Sequence, residues 1–198
     1  MKKHVTPGES LVLASEKYDM SFEKAVVGFS GGADSVTLLD CMYKKYGGRV
    51  AALHVNHMLR GADADADENF CREFCKVRGI EFLCEKVDVM AASGGVAIEE
   101  TARNMRYAAL REAAASVGAD AIALAHTLDD NAETALFNMA RGTGISGLGI
   151  PPVRYTDGIK IIRPLIYCSK DDILEYIEKN GLSFVTDKSN FETKYSRN

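Results

Sequence analysis

The sequence predicts an α/β protein built on a doubly wound, mostly parallel, five-stranded sheet flanked by helices. Three observations carry this. Short apolar runs alternate with helical patterns along most of the chain. The runs are continuous rather than alternating, as in strands buried on both faces of a parallel sheet. The residues able to do chemistry gather just after the runs, where open α/β sheets bind their ligands.

The first run, 25–30 (AVVGFS), ends in a Gly-rich turn and leads into a helical pattern over 35–46. The second, 50–56 (VAALHVN), precedes a helix over 63–78 that Gly79 stops. The third, 80–87 (IEFLCEKV), is followed by the longest helix, 98–117, where Ala102, Met105, Ala109 and Ala113 form a small-residue stripe for packing on a sheet. The fourth, 121–126 (AIALAH), leads into a helix over 131–140. The stretch 141–157 holds four Gly and two Pro with little periodicity, and is expected to be a loop crossing the active edge of the sheet. The fifth strand is 160–165 (KIIRPL). A last helix opens at Ser169-Lys170-Asp171-Asp172 with capping-box spacing and closes at Gly181. The tail from Ser183 is polar and unpatterned, and no internal repeat interrupts the chain.

With 46% hydrophobic and 26% charged residues, the composition is that of a soluble globular protein. No apolar run approaches the roughly 20 residues a membrane helix needs. The basic start, Met1-Lys2-Lys3-His4, is not followed by a signal-peptide core. The five cysteines are odd in number, so free thiols in a reducing cytoplasm are expected rather than a disulfide framework. Cys71 and Cys75 stand one helical turn apart, but no His or second Cys pair completes a metal site. The net charge of −4 argues against a chain that clamps nucleic acid unaided, because phosphate neutralisation needs clustered Lys and Arg.

Ser30-Gly31-Gly32-Ala33-Asp34-Ser35 stands between a strand and a helix. Paired glycines let backbone amides approach a ligand closely, and a helix N-terminus adds a partial positive charge, so the loop suits an anion such as phosphate. The Ser30 and Ser35 hydroxyls can add hydrogen bonds. Asp34 repels phosphate unless Mg²⁺ bridges the two. The plain alternative is a tight turn with a helix cap. The spacing is neither that of the P-loop nor that of the GxGxxG fingerprint. A second cluster, Ala125-His126-Thr127-Leu128-Asp129-Asp130-Asn131-Ala132-Glu133-Thr134, follows the fourth strand. Asp129 and Glu133 are four apart, and Asp130 and Glu133 three apart, so the acids converge on one helix face. Thr127 and Asp130 have capping spacing, but capping alone needs neither three acids nor a His. The cluster suits a cation, either Mg²⁺ or the ammonium of an amino acid. Arg103 and Arg106, three apart on another helix, can hold a phosphate or carboxylate, or can lie on a salt-bridged helix surface.

The hexapeptide SGGADS resembles the PP-loop of the ATP-pyrophosphatases, a group that includes GMP synthetase, asparagine synthetase, tRNA thiolases and lysidine synthetases. The resemblance implies an adenine nucleotide alpha-hydrolase-like, Rossmann-like fold. It also implies that Ser30, Gly31, Gly32, Ala33, Asp34 and Ser35 hold ATP, with Mg²⁺ on Asp34 and Asp130. Further segments resemble the lysidine synthetases in particular. They are His54-Val55-Asn56-His57 with Leu59-Arg60, then Glu99 to Tyr107, then the acid cluster, Arg141-Gly142-Thr143-Gly144, Ile162-Arg163-Pro164-Leu165, Asp187 to Asn190, and Tyr195 to Asn198. That family implies an ATP-dependent C–N ligase joining L-lysine to C2 of the wobble cytidine of tRNA(Ile) with a CAU anticodon. In it, His54, Asn56, His57, Arg141 and Gly142 would meet the nucleotide, and Asp34, Asp129, Asp130, Glu133, Arg103 and Arg106 would serve the chemistry. Residues 1–198 are expected to be an N-terminal PP-loop domain, a fragment lacking the C-terminal tRNA-binding domains, with a homodimer left open. A tRNA thiolase of the same superfamily is the alternative, and a non-catalytic nucleotide-binding module a third.

Overall fold

The computed structural model describes residues 4–144 and 147–186. Along the chain run α1 (Pro7–Lys17), β1 (Ala25–Gly28), α2 (Ala33–Tyr46), β2 (Val50–Asn56), α3 (Ala62–Arg78) and β3 (Glu81–Lys86). There follow α4 (Val89–Ser93), α5 (Ile98–Ser116), β4 (Ala121–Ala123), α6 (Leu128–Ala140), β5 (Val153–Thr156), β6 (Ile159–Ile162) and α7 (Lys170–Asn180). The strands form one sheet in the order β3-β2-β1-β4-β6-β5, parallel throughout except for the β5–β6 hairpin.

Alternate residues of the central strands feed two cores. Val27, Ala52, Ala123 and Ile162 join a cluster with Leu11, Leu38, Leu39, Phe74 and Ile173, so α1, α2, α3 and α7 cover one face. Val26, Ala51, Ile122 and Ile161 join Ala109, Leu110, Ala113 and Ala114 of α5 on the other. Burial on both faces is what the continuous apolar runs demand, and each fully buried Leu contributes about 1.5–3 kcal/mol. After β1 the chain winds outward through β2 and β3, then returns to lay β4 on the opposite side of β1. The carboxyl ends of β1 and β4 therefore flank the switch point, where such sheets open a crevice.

Among the described residues the sheet has six strands, not five. The extra strand, β5, lies within the stretch expected to be a loop. Asp157 and Gly158 have φ of 51° and 81°, the two positive values that a tight hairpin turn requires. At the sheet edge, Arg154 and Tyr155 stay exposed, so no apolar run marks the strand. β3 is the opposite edge and is only partly covered, not buried on both faces as its sequence suggests. The stripe on α5 is shifted by part of a turn: Ala109, Leu110, Ala113 and Ala114 are buried, whereas Ala102 and Met105 are not. Helix α1, absent from the sequence expectation, is opened by a complete Thr6–Glu9 capping box with Pro7 at its first position.

Candidate active site

The 30–35 loop leaves β1 and enters α2 at the switch point. Gly32 caps α2 with extended backbone and no side chain occupies the cap, which leaves first-turn amides open to an anion. Ser30 Oγ lies 3.1 Å from Ser35 Oγ, and Ser35 Oγ donates to Gly32 O at 2.9 Å. Gly31 has φ 86°, and an added Cβ would stand 3.1 Å from Cys71 Sγ and 3.2 Å from both Phe70 and Val185. Its carbonyl accepts the Val185 N–H at 2.9 Å, which fixes the loop from outside the sheet.

A cleft of about 740 Å³ opens beside this loop. Ser30, Gly32, Ala33, Asp34 and Ser35 line it, as do His54, Asn56, His57 and Arg106. The His54 ring is bonded through Nδ1 to Phe29 O at 3.0 Å, and burial pushes its pKa down. The Asn56 amide donates to Glu68 at 3.2 Å and accepts the Met58 N–H at 3.0 Å, so it shapes the turn after β2 while bordering the cleft. His57 Nδ1 is buried without a partner among the described residues, and burial followed by the Arg106 charge lowers its pKa.

The acids come from α6. Thr127 and Asp130 form the expected capping box: Thr127 N and Oγ1 donate to Asp130 Oδ2 at 2.8 and 2.9 Å. Asp129 Oδ2 accepts the backbone N–H of Lys170 at 2.8 Å, and the Lys170 ammonium stands 3.5 Å from Asp130 Oδ1. Burial, then Asp130 and more weakly Asp129, hold the Asp34 carboxyl above its ordinary range, against the pull of Lys170. Desolvation works against the Lys170 charge, but Asp130, Asp34 and Glu133 outweigh it and raise its pKa. The fold thus places Asp34 from β1–α2, Asp129, Asp130 and Glu133 from α6, and Lys170 from α7 within electrostatic reach of one another.

Among the described residues no three His, Cys, Asp or Glu side chains form a ready-made metal cage. The donor set fits Mg²⁺ only in its usual manner, with one or two carboxylates and the remaining ligands from phosphate oxygens and water. Burial raises the Asp34 pKa most, and the part added by Asp130 and Asp129 is what a cation would relieve.

Seven candidate residues do not line the cleft: Gly31 lies at the back of the loop, Asp129, Asp130 and Glu133 stand beside the cleft and act on it through Asp34 and Lys170, and Arg103, Arg141 and Gly142 lie further off. Arg103 is exposed and lies 5.4 Å from the Tyr107 ring centre. Arg141 is exposed over Phe137 at 4.2 Å, one turn back on α6, and Gly142 turns the chain away with φ 74°. Ile145, Ser146, the 187–190 segment and the 195–198 segment lie outside the described residues.

Other residues join the site; of these only His126, inside the acid-cluster motif, stood out in the sequence. Lys170 stands 40 positions after Asp130, and only the packing of α7 beside α2 brings it in. His126 lines the cleft, and Arg163 Nε donates to its Nδ1 at 3.2 Å. Phe184, Val185 and Thr186 complete the wall. The segments containing His126 and Arg163 were visible as motifs, but nothing in the sequence pairs them.

The cysteines turn away from this chemistry. All five are free, and all but half-buried Cys84 are buried. Burial pushes Cys41 and Cys84 up to about 11, Cys75 and Cys168 up to about 12, and Cys71 higher still. None is a ready thiolate nucleophile.

A glycine loop feeding a helix N-terminus at a doubly wound switch point, faced by acids from the next strand end, defines a phosphate-binding α/β domain. The PP-loop domain model matches residues 9–198, and the chain belongs to that family. It is 41% identical over 190 residues to tRNA(Ile)-lysidine synthase of Clostridium tetani, covering 92% of this chain and 40% of that protein. It is 38% identical over 191 residues to the enzyme of the same name from Bacillus subtilis, again covering 92% and 40%. The chain therefore spans about two fifths of the length of these curated relatives. Among solved structures, the U34-tRNA thiolase NcsA of Methanococcus maripaludis with its 4Fe-4S cluster superposes with TM-score 0.68 at 22% identity, covering 90% of this chain and 64% of that one. The NH3-dependent NAD synthetase of Campylobacter jejuni superposes with TM-score 0.61 at 17% identity, covering 97% and 77%. These two likenesses concern the fold alone. No helix among the described residues is long and apolar enough to cross a membrane.

Proposed function

We propose that this chain is the ATP-binding, adenylating domain of a tRNA(Ile)-lysidine synthase. The observation that carries the proposal is the facing of Asp34, in the first turn after the glycine loop, by Asp130 and Asp129 of α6, with Lys170 held by Asp130, Asp34 and Glu133. A phosphate cradle and a cation-seeking cluster at one switch point match a reaction that joins ATP to an amine substrate. The curated relatives named above carry that activity in their names, over nearly all of this chain.

In this proposal, the wobble cytidine of tRNA(Ile) with a CAU anticodon enters the open edge of the cleft. Its O2 attacks the α-phosphorus of ATP, the Pα–O bond to the β-phosphate breaks, and pyrophosphate leaves. The ε-amine of L-lysine then attacks C2, the C2–O bond breaks, and AMP departs with that oxygen. The first-turn amides of α2 and the Ser30 and Ser35 hydroxyls hold and orient the phosphates. Bound Mg²⁺ would supply charge neutralisation of the phosphates, with Asp34 and Asp130 as its protein ligands. Asp129, Asp130 and Glu133 together hold the lysine ammonium and take the proton it must lose before attack. Arg106, on the cleft wall, orients a substrate phosphate. With a net charge of −4, the domain leaves the main grip on tRNA to other parts of the full-length protein, acting in the cytoplasm.

The test uses the full-length protein with ATP, Mg²⁺, lysine and unmodified CAU-anticodon tRNA. After digestion, mass spectrometry reads the wobble nucleoside beside a lysine-free control. A lysine-dependent mass gain on cytidine is expected. AMP release with unmodified cytidine would overturn the lysine assignment and point to another nucleophile, sulfur first.

A further inference from the structure

His126 follows β4 at the switch point, in the connection to α6, and lines the cleft, yet the proposed chemistry gives it no task. Its partner is unusual. Arg163 is 4% exposed, and its Nε–H donates to His126 Nδ1 at 3.2 Å, while its Nη1 donates to Pro151 O at 2.6 Å. Guanidinium nitrogens have no lone pair to offer, so they only donate. The ring nitrogen that receives the Arg163 proton must therefore be bare, and a neutral imidazole then carries its hydrogen on the other nitrogen, Nε2. That Nε2 has no protein partner among the described residues and is not among their sealed, unpaired atoms. A ring serving only to satisfy Arg163 would have no need to border the cleft.

We propose that Arg163 locks His126 in the Nε2–H tautomer, so that His126 presents an uncharged hydrogen-bond donor to a phosphoryl oxygen of the nucleotide in the cleft. The ligand half of this proposal rests on the function proposed above; the tautomer half does not. β4 is the immediate neighbour of β1, whose loop cradles the phosphates, so a donor on the segment that follows β4 faces the same ligand from the second side. An uncharged donor suits the position. Arg163 follows β6, Arg103 and Arg106 lie on α5, and Asp130 is the acid facing the ring from α6. Burial first, then Arg163, push the His126 pKa down to about 4, with Arg106 and Arg103 adding to this and Asp130 opposing it. The ring therefore keeps its donor, uncharged, through the physiological range. A fixed dipole aimed at developing phosphate charge needs no proton transfer to act.

Nitrogen-15 NMR of the labelled 198-residue chain reads the tautomer directly. The expected result is a bare Nδ1 and a protonated Nε2 for His126, unchanged between pH 5 and 8. A protonated Nδ1, or titration near pH 6.5, would overturn the lock. Addition of ATP with Mg²⁺ is expected to move the Nε2–H resonance downfield; binding without such a shift would overturn the ligand half. In calorimetric titrations with ATP, His126→Gln, which keeps an N–H donor, should bind at least several-fold tighter than His126→Leu. His126→Leu itself should lose about 10- to 100-fold, the worth of one hydrogen bond to a charged acceptor. Equal affinities for the two variants would sink the donor role. Because the tautomer is read without tRNA or lysine, failure of the proposed ligation would not be mistaken for failure here.

Discussion

Asp129 accepts the backbone N–H of Lys170 at 2.8 Å, joining the first turn of α6 to the first turn of α7 across 41 residues of sequence. The carboxylate satisfies one of the four amides that every helix start leaves without an intrahelical partner. Asp129→Ala should therefore cost about 1 kcal/mol, the usual worth of a cap, in urea denaturation. An unchanged midpoint would show that solvent replaces this bond at no cost.

Asp130 has two duties that substitution can separate. Its Oδ2 closes the capping box with Thr127, and its charge faces Asp34 and Lys170. Asp130→Asn keeps a carbonyl oxygen for the cap and should stay within about 0.5 kcal/mol of the parent, whereas Asp130→Ala should lose about 1 kcal/mol. Both should lower lysine-dependent turnover of the full-length protein at least about 100-fold, on the scale of losing a charged hydrogen-bonding group from a reacting site. An active Asp130→Asn enzyme would exclude a role for the charge.

Asp34 links the site to pH. Burial and Asp130 raise its folded pKa above the unfolded value, so the folded state holds a proton that the unfolded state has already released. Its contribution to stability is therefore greatest at low pH and falls as pH rises from the unfolded value through the folded one. Asp34→Asn should remove that slope and raise the melting temperature at pH 7, while abolishing AMP formation by the full-length protein. Mg²⁺ should raise the melting temperature of the parent and not that of the variant. A variant less stable than the parent at pH 7 would refute the burial argument.

The two loop glycines should respond differently to alanine. Gly31 combines φ 86° with three neighbours 3.1–3.2 Å from any added Cβ, so Gly31→Ala should destabilise the fold by about 1–3 kcal/mol. Gly32 meets only Ser30 Oγ at 3.5 Å, so Gly32→Ala should stay within about 0.5 kcal/mol, and any loss of ATP affinity there reports on the ligand. Urea midpoints with calorimetric ATP titration distinguish the two; equal costs would contradict the geometry.

Cysteine chemistry separates ligation from thiolation. With thiols buried and their pKa values raised, the double change Cys71→Ser and Cys75→Ser should leave lysine ligation intact in protein that remains folded, as checked by circular dichroism. Native thiols should react with a disulfide reagent far more slowly than after unfolding. Loss of activity in a folded double variant would revive the thiolase alternative.

The central strands, both faces of the sheet and the PP-loop were legible because continuous apolar runs and paired glycines report directly on burial and backbone shape. Two misses had signals in plain view. Thr6-Pro7-Gly8-Glu9 is a capping box with proline at the first helical position, and Asp157-Gly158 between VRYT and IKII marks a hairpin. The other misses had none. Lys170 reads as part of a helix start, and the Arg163–His126 bond spans 37 positions, so only the packed sheet makes neighbours of them. Arg103 and Arg141 had the right chemistry in the right motifs, but each stands over an aromatic ring outside the cleft wall.

Helix α6 carries the acid cluster yet buries none of its thirteen residues, and Leu136, Phe137 and Met139 on it are 56–68% exposed. The helices that build the core and the helix that carries the acid cluster are thus different pieces of the molecule. Substitutions on the exposed face of α6 therefore cost the sheet little, and the acids can be varied with the nucleotide-facing loop after β1 left intact.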